Sequence, residues 1–129
     1  MAIDKKPILM IIEDDEVLLR AMYLFFHKLK YTIASATDGE SGLKMVQRVG
    51  PDIIILDLLL PKMDGFAVLK NLQADPKIKD IPVIVLSNLG DEDDVNRAKK
   101  LKVKDYFIKS NTELSVLADK IESILSLKP

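Results

Sequence analysis

A single carboxylate, Asp57, interrupts the apolar run Ile53-Ile54-Ile55-Leu56-Asp57-Leu58-Leu59-Leu60. An ionised carboxylate is too costly to leave alone in an apolar interior, so it must be neutralised, paired, bound to a metal or sited where the segment meets water. A second acidic group, Glu13-Asp14-Asp15, follows the run Ile8 to Ile12, and Ser87 and Lys109 each close another apolar run. Acid pair, acid, hydroxyl and ammonium together suit phosphoryl transfer. A carboxylate can accept a phosphoryl group as an acyl phosphate, and such transfer is catalysed mainly by positioning and charge stabilisation. Gathered acids repel, since two unit charges about 4 Å apart cost roughly 4 kcal/mol at an effective dielectric near 20, and a divalent cation removes that cost. Mg²⁺ takes oxygen ligands and is usually held by one or two carboxylates together with a phosphate; Glu13, Asp14 and Asp57 offer such ligands. The Lys109 ammonium and Ser87 hydroxyl would then meet the charge developing on the phosphoryl oxygens.

Each residue also has an ordinary role. Asp14, Asp15 and Ser87 are good helix N-caps, which is the commoner use of such residues after a strand. Lys109 alone would be a solvated lysine, and Asp57 alone a turn residue leading into Pro61-Lys62-Met63-Asp64-Gly65. The conjunction decides, because capping preferences do not deliver all four groups to one place.

The elements that must position them alternate along the chain. Short apolar runs at Ile8 to Ile12, Tyr31 to Ala36, Ile53 to Leu56, Val83 to Leu86 and Val103 to Ile108 predict strands. Between and after them, Glu16 to Leu29, Glu40 to Val49, Gly65 to Ala74, Asp91 to Leu101 and Glu113 to Leu127 carry helical spacing; in the last, Leu114, Leu117, Ala118, Ile121, Ile124 and Leu125 share one face. Alternation of this kind predicts an α/β fold, a doubly wound parallel sheet of five strands with five helices on both faces. The first, third and fourth runs are continuously apolar, Val, Ile and Leu with a single Met, as central strands require, whereas Thr32, Ser35, Lys104 and Asp105 suit the other two to the edges. That favours the order 2-1-3-4-5, whose switch point between strands 1 and 3 opens a crevice at the carboxyl ends. Glu13, Asp57, Ser87 and Lys109 all stand at those ends.

The 129 residues fit one domain, 1–129, with a core of its own. Nineteen basic residues nearly balance twenty acidic ones, so global charge argues for neither nucleic acid nor an anionic membrane surface. Absence of cysteine excludes disulfides, thiol nucleophiles and thiolate metal sites and suits the cytosol. No signal-peptide pattern or membrane-length apolar run is present, so a soluble, cytoplasmic protein is expected.

Over essentially its whole length the chain resembles the receiver domain of two-component response regulators. The likeness is carried by Ile11-Ile12-Glu13-Asp14-Asp15-Glu16, by Leu56-Asp57-Leu58-Leu59-Leu60-Pro61-Lys62-Met63-Asp64-Gly65, by Leu86-Ser87 and by Asp105-Tyr106-Phe107-Ile108-Lys109. It implies a flavodoxin-like fold, and phosphorylation of Asp57 by a sensor histidine kinase or a histidine phosphotransfer protein. It further implies that Glu13, Asp14, Asp57 and the backbone carbonyl of Leu59 bind Mg²⁺, and that Ser87 contacts and Lys109 neutralises the phosphoryl group. Tyr106 matches an aromatic switch that turns inward as the hydroxyl residue moves. Such a chain catalyses only its own phosphorylation and dephosphorylation and is otherwise no enzyme; its output is a downstream protein bound through the face of helix 4, strand 5 and helix 5. The alternative is a degenerate, phosphorylation-independent receiver that serves as a protein-interaction module.

Three departures from the family pattern carry expectations. Ser110 stands where the family usually has a cis proline, and because a cis bond before a non-proline residue costs about 2.5–4 kcal/mol, Lys109-Ser110 is expected trans, with Ser110 and Glu113 in an S-x-x-E capping box. Lys102-Val103 replaces Gly-Ala, and Lys30 replaces Gly; a helix ending there would force a lysine into a left-handed conformation that glycine adopts more easily. Leu59 and Leu89, two residues after Asp57 and Ser87, are apolar and cannot orient an attacking water, which predicts slow autodephosphorylation.

Other classes fit less well. A haloacid dehalogenase-type phosphatase wants a second acid where this chain has Leu59, and a flavin-binding module wants a Ser/Thr/Gly-rich loop where Glu13-Asp14-Asp15 would repel phosphate. His27 lacks the acid-rich helical setting of a phosphate carrier and is expected to be a solvated or partly packed helix residue. The stretch Arg97 to Lys104 is basic, but cations near a helix C-terminus are what the helix dipole favours, so direct nucleic-acid binding is not expected.

Overall fold

Continuous β-branched and leucine runs pair where both of their faces can be covered, and the five runs do so as a single parallel sheet. In the computed structural model, which describes residues 6–126, strands β1 (Ile8–Ile12), β2 (Thr32–Ala36), β3 (Ile53–Leu56), β4 (Val83–Ser87) and β5 (Asp105–Ile108) alternate with helices α1 (Glu16–His27), α2 (Gly39–Val49), α3 (Gly65–Ala74), α4 (Glu92–Lys100) and α5 (Leu114–Ser126). The sheet order is β2-β1-β3-β4-β5. The expected topology is therefore present, and the three apolar runs are its centre: every residue of β3 and β4 is buried, while β5 is only half-buried throughout.

Alternation along each strand divides the core in two. Met10, Ile12, Ile54, Leu56, Val83 and Val85 face Leu43 and Val46 of α2, Phe66, Val68, Leu69 and Leu72 of α3, and Ala98 of α4. Leu9, Ile11, Ile53, Ile55, Ile84 and Leu86 face Met22 and Phe26 of α1 and Leu117 and Ile121 of α5. Each of these Val, Leu, Ile, Met and Phe side chains contributes about 1.5–3 kcal/mol on burial, so the crevice rests on a rigid sheet.

Several element ends differ from expectation. Strand β5 begins at Asp105, not Val103, because Lys102 has φ 66° and the chain reverses there after Leu101. The expected left-handed lysine is thus observed at Lys102. Lys30 does not share it: the described non-glycine residues with positive φ are Lys62 and Lys102. Helix α1 ends at His27 with Lys28 in a right-handed conformation, and the Lys30 ammonium reaches across to Glu122 of α5 at 2.8 Å. Leu127, the expected end of α5, lies outside the described residues.

No cis peptide occurs among the described residues, so Lys109-Ser110 is trans. The capping box does not form. Ser110 lies inside a 3₁₀ turn over Lys109–Asn111, and α5 starts only at Leu114, with the Glu113 carbonyl accepting from the amides of Val116 and Leu117. Ser110 is therefore too far ahead of the helix to cap it; its amide is held instead by Asn88 Oδ1 at 3.1 Å. No described helix is long and apolar enough to cross a membrane.

Candidate functional site

Parallel register brings the ends of the strands level. Ile12 pairs with Leu56, so Glu13 and Asp57 leave the sheet side by side, and the Asp57 amide donates to the Ile12 carbonyl at 3.0 Å. On the other side of β3, Leu56 pairs with Val85, and Ser87 pairs with Ile108, which carries Lys109 just past the end of β5. Thus four strand ends meet at one rim.

The three acids separate by environment. Glu13 and Asp57 are buried, with side chains only 3% exposed, whereas Asp14 is exposed. Asp15, not Asp14, caps α1: its Oδ1 accepts from the amides of Val17 and Leu18 at 3.0 and 3.2 Å. The capping role thus falls to Asp15, and Asp14 stays with the crevice. Carboxylate oxygens of Glu13, Asp14 and Asp57 all lie within 4.8 Å of one another. Ser87 is no helix cap either, since α4 begins at Glu92; its hydroxyl accepts from the Leu89 amide at 3.3 Å.

Lys109 spans the two buried acids. Its ammonium is 2.6 Å from Asp57 Oδ2 and 2.7 Å from Glu13 Oε1. Burial alone would lower the lysine pKa, but hydrogen bonds to Asp57 and Glu13 outweigh it and hold the group above its ordinary value, fully charged. For Glu13 the balance runs the other way. Desolvation lifts its pKa, and neither Lys109 nor the Asp15 amide, which donates to Oε2 at 2.9 Å, fully offsets it; the neighbouring Asp57 lifts it further. Three carboxylates against one ammonium leave two negative charges at the rim. Hard oxygen donors with that surplus fit a divalent cation.

Backbone geometry fixes the rest. Asp57 Oδ1 accepts from the Leu59 amide at 3.1 Å, turning the chain sharply after the strand and leaving the Leu59 side chain exposed. Gly65 opens α3 by donating to the Leu58 carbonyl at 2.9 Å; a Cβ there would lie 2.5 Å from the Asp57 carbonyl oxygen. Tyr106 is half-buried, packs against the core under α3 and α4, and donates its hydroxyl to the Leu89 carbonyl. Burial first, then the charges of Asp94 and Asp57, raise its pKa, so it is protonated and able to donate.

Every candidate from the sequence is therefore near the rim, in the β4–α4 connection or on β5. His27 is exposed on α1 and stacks on Tyr23 with ring centroids 5.3 Å apart, far from the chemistry, as expected. Sequence reasoning missed the left-handed Lys62 (φ 68°) and the approach of α2 to the loop around it. It also missed Arg97, in the basic stretch, whose guanidinium lies 4.0 Å over the Phe66 ring and joins α4 to α3.

Comparison with known proteins agrees with this fold. The family model for the response regulator receiver domain matches residues 9–122. Among curated proteins, the transcriptional regulatory protein AfsQ1 of Streptomyces coelicolor is 33% identical over 119 residues, 92% of this chain and 51% of that protein. The chain spans about half or less of the length of the curated relatives it matches. Among solved structures, the Mn²⁺-bound form of response regulator Rcp1 is 30% identical with a TM-score of 0.78, covering 94% of this chain and 93% of that one. The phosphorylated cyanobacterial phytochrome response regulator RcpA is 31% identical with a TM-score of 0.78, covering 92% and 90%.

Proposed function

From the premise that the chain belongs to the response regulator receiver domain family, we propose that Asp57 accepts a phosphoryl group from a phosphohistidine donor, on a sensor histidine kinase or phosphotransfer protein, in a Mg²⁺-dependent reaction. The observation that carries this reading is the buried Asp57 carboxylate, bonded to Lys109 at 2.6 Å beside Glu13 and Asp14. An oxygen of Asp57 attacks phosphorus, the P–N bond of the donor breaks, and the imidazole leaves with the electron pair. Lys109 then neutralises the new phosphoryl oxygens from where its ammonium already lies, and Ser87 offers its hydroxyl to them. Glu13, Asp14, Asp57 and the Leu59 carbonyl would hold Mg²⁺, whose charge offsets the surplus at the rim and that of the incoming phosphate.

When Ser87 turns to the phosphoryl group it gives up the Leu89 amide, and the β4–α4 connection that Tyr106 grips by the Leu89 carbonyl shifts with it. This switches a protein-binding face of α4, β5 and α5 in a cytoplasmic setting. The chemistry is confined to the protein's own aspartate, so it is a signalling domain and no conventional enzyme.

The deciding experiment is intact-protein mass after incubation with acetyl phosphate and Mg²⁺, beside Asp57→Asn and a chelated sample. One phosphoryl adduct that needs both Asp57 and Mg²⁺ is expected. If neither acetyl phosphate nor phosphohistidine donors yield an adduct on the folded, metal-loaded protein, the phosphorylation-independent interaction module replaces this reading.

A further inference from the structure

The β3–α3 loop bears the Leu59 carbonyl, yet its far side is fixed by an element outside the crevice. Pro61 offers its carbonyl to two amides: Met63 at 2.8 Å, closing a three-residue turn around the left-handed Lys62, and Gly39 at 3.3 Å, from the first residue of α2. Such a turn is strained for a residue bearing a Cβ. It persists only where its surroundings over-determine it, and α2 supplies them. Gly39 is buried against Met63, and a Cβ built on it would overlap the Met63 carbonyl oxygen and lie 3.0 Å from the Met63 Cβ. Asp38 anchors this contact: its Oδ1 accepts from the Ser41 amide at 2.7 Å to cap α2, and the charge of Lys62 helps hold its pKa down.

We propose that Gly39 is a positioning residue for the metal-binding rim: its bare Cα lets the N-terminus of α2 seat on Pro61 to Met63 and thereby fixes the loop that carries Leu59. This inference rests on the proposed Mg²⁺ site. The loop is pinned from both ends, by Gly65 against the Asp57 carbonyl and by Gly39 against the Met63 carbonyl. A methyl at position 39 must push Met63 backbone away, because the opposing atom is a carbonyl and no flexible side chain can yield. Gly50 provides a contrast: it too resists substitution, with φ 61°, but has no neighbouring atom in the way and lies at the opposite end of α2.

The test is Mg²⁺ affinity by isothermal titration calorimetry on the full chain, with urea unfolding of each variant. Gly39→Ala should weaken Mg²⁺ binding about ten-fold or more, in the range found when outer-shell supports of metal ligands are removed. Gly50→Ala should lose stability and keep Mg²⁺ affinity. Asp38→Ala, which frays the first turn of α2 without a clash, should weaken binding by roughly three-fold and serves if Gly39→Ala does not fold. Unchanged affinity in Gly39→Ala, or in Asp38→Ala where it stands in, overturns the proposal, as does an equal loss in Gly50→Ala. Absence of Mg²⁺ binding by the unsubstituted protein would instead refute the proposed metal site on which the inference depends.

Discussion

At the site, two buried acids share one ammonium, and their stability depends on pH through Glu13. Its pKa is raised in the fold above the ordinary 4.5, so the native state holds this proton more tightly than the unfolded chain does. The stabilisation from that proton is complete below about 4.5 and is lost as pH rises through the folded value. Lys109→Met, which leaves Glu13 and Asp57 buried without a counter-charge, should cost about 3 kcal/mol at pH 8 by urea unfolding. It should cost distinctly less at pH 4.5, where a carboxyl whose pKa is raised above 4.5 is mostly protonated and carries less uncompensated charge. An equal cost at both pH values would mean that Glu13 does not titrate in this window. A second residue-scale expectation concerns phosphoryl lifetime. Leu59 is 53% exposed and two residues past Asp57, so Leu59→Asn gives an attacking water a partner and should hasten adduct decay by roughly ten-fold, less than the 10²–10⁴-fold of a true general base because an amide orients the water without taking its proton. Decay at the unsubstituted rate in both Leu59→Asn and Leu89→Asn would remove the argument. The residues of the rim were legible in sequence because an isolated charge in an apolar run has few physical outcomes. That Asp15 caps α1 and frees Asp14 was not, because the two are the same residue type and only backbone geometry chooses between them.

At the level of elements, the strands were the easiest features to anticipate, since burial on both faces demands a nearly continuous apolar run, and β1, β3 and β4 have one, broken only by Ser87 at the rim end of β4. Edge placement of β2 and β5 followed from the same physics in reverse. Less legible were the ends. Tyr31 belongs by composition to β2 but precedes it; its ring packs on Phe26 and its hydroxyl donates to Glu122, so side-chain burial alone had extended the strand. Ser110 with Glu113 has the spacing of a capping box, yet the 3₁₀ turn after β5 shifts the helix start beyond reach. Lys102 was anticipated correctly because a helix that must turn at once into a strand needs a left-handed residue. Lys102→Gly should therefore raise stability by roughly 0.5–1 kcal/mol, relief of the φ 66° strain exceeding the entropy glycine loses. Phosphoryl uptake should stay unchanged, since Lys102 lies outside the rim. A fall in unfolding midpoint in urea would mean that the left-handed lysine carries no strain.

Across the whole molecule, the sheet and four of the helices form a stiff frame, and α4 is the loosest part of it. Only Ala98 of α4 is buried, its N-cap Asp91 makes no side-chain cap bond, and its first turn is acidic and its last basic. The helix is held mainly by Arg97 over Phe66 and, through the preceding connection, by Tyr106 on the Leu89 carbonyl. Both tethers end near the rim: Phe66 follows the Gly65 that abuts Asp57, and Leu89 follows Ser87. The basic stretch that looked like a charged surface in sequence thus contains a structural cation, which charge patterning alone could not reveal because its partner ring lies thirty-one residues earlier in the chain. Regions with few buried apolar contacts open most readily, so α4 amides should exchange hydrogen faster than those of β3 and β4 in the native protein. Tyr106→Phe keeps the ring packed and deletes one tether, and Arg97→Met keeps apolar volume and deletes the other. Each should speed exchange in α4 by several-fold, since a lost hydrogen bond or cation–π contact is worth about 1 kcal/mol, while exchange in the central strands is unaltered. If either variant accelerates exchange uniformly, that contact stabilises the fold as a whole and is no local restraint on α4. Faster exchange confined to α4 and its flanking connection would show instead that two weak contacts tie this helix to the rim, the contacts that the proposed phosphorylation of Asp57 would have to shift.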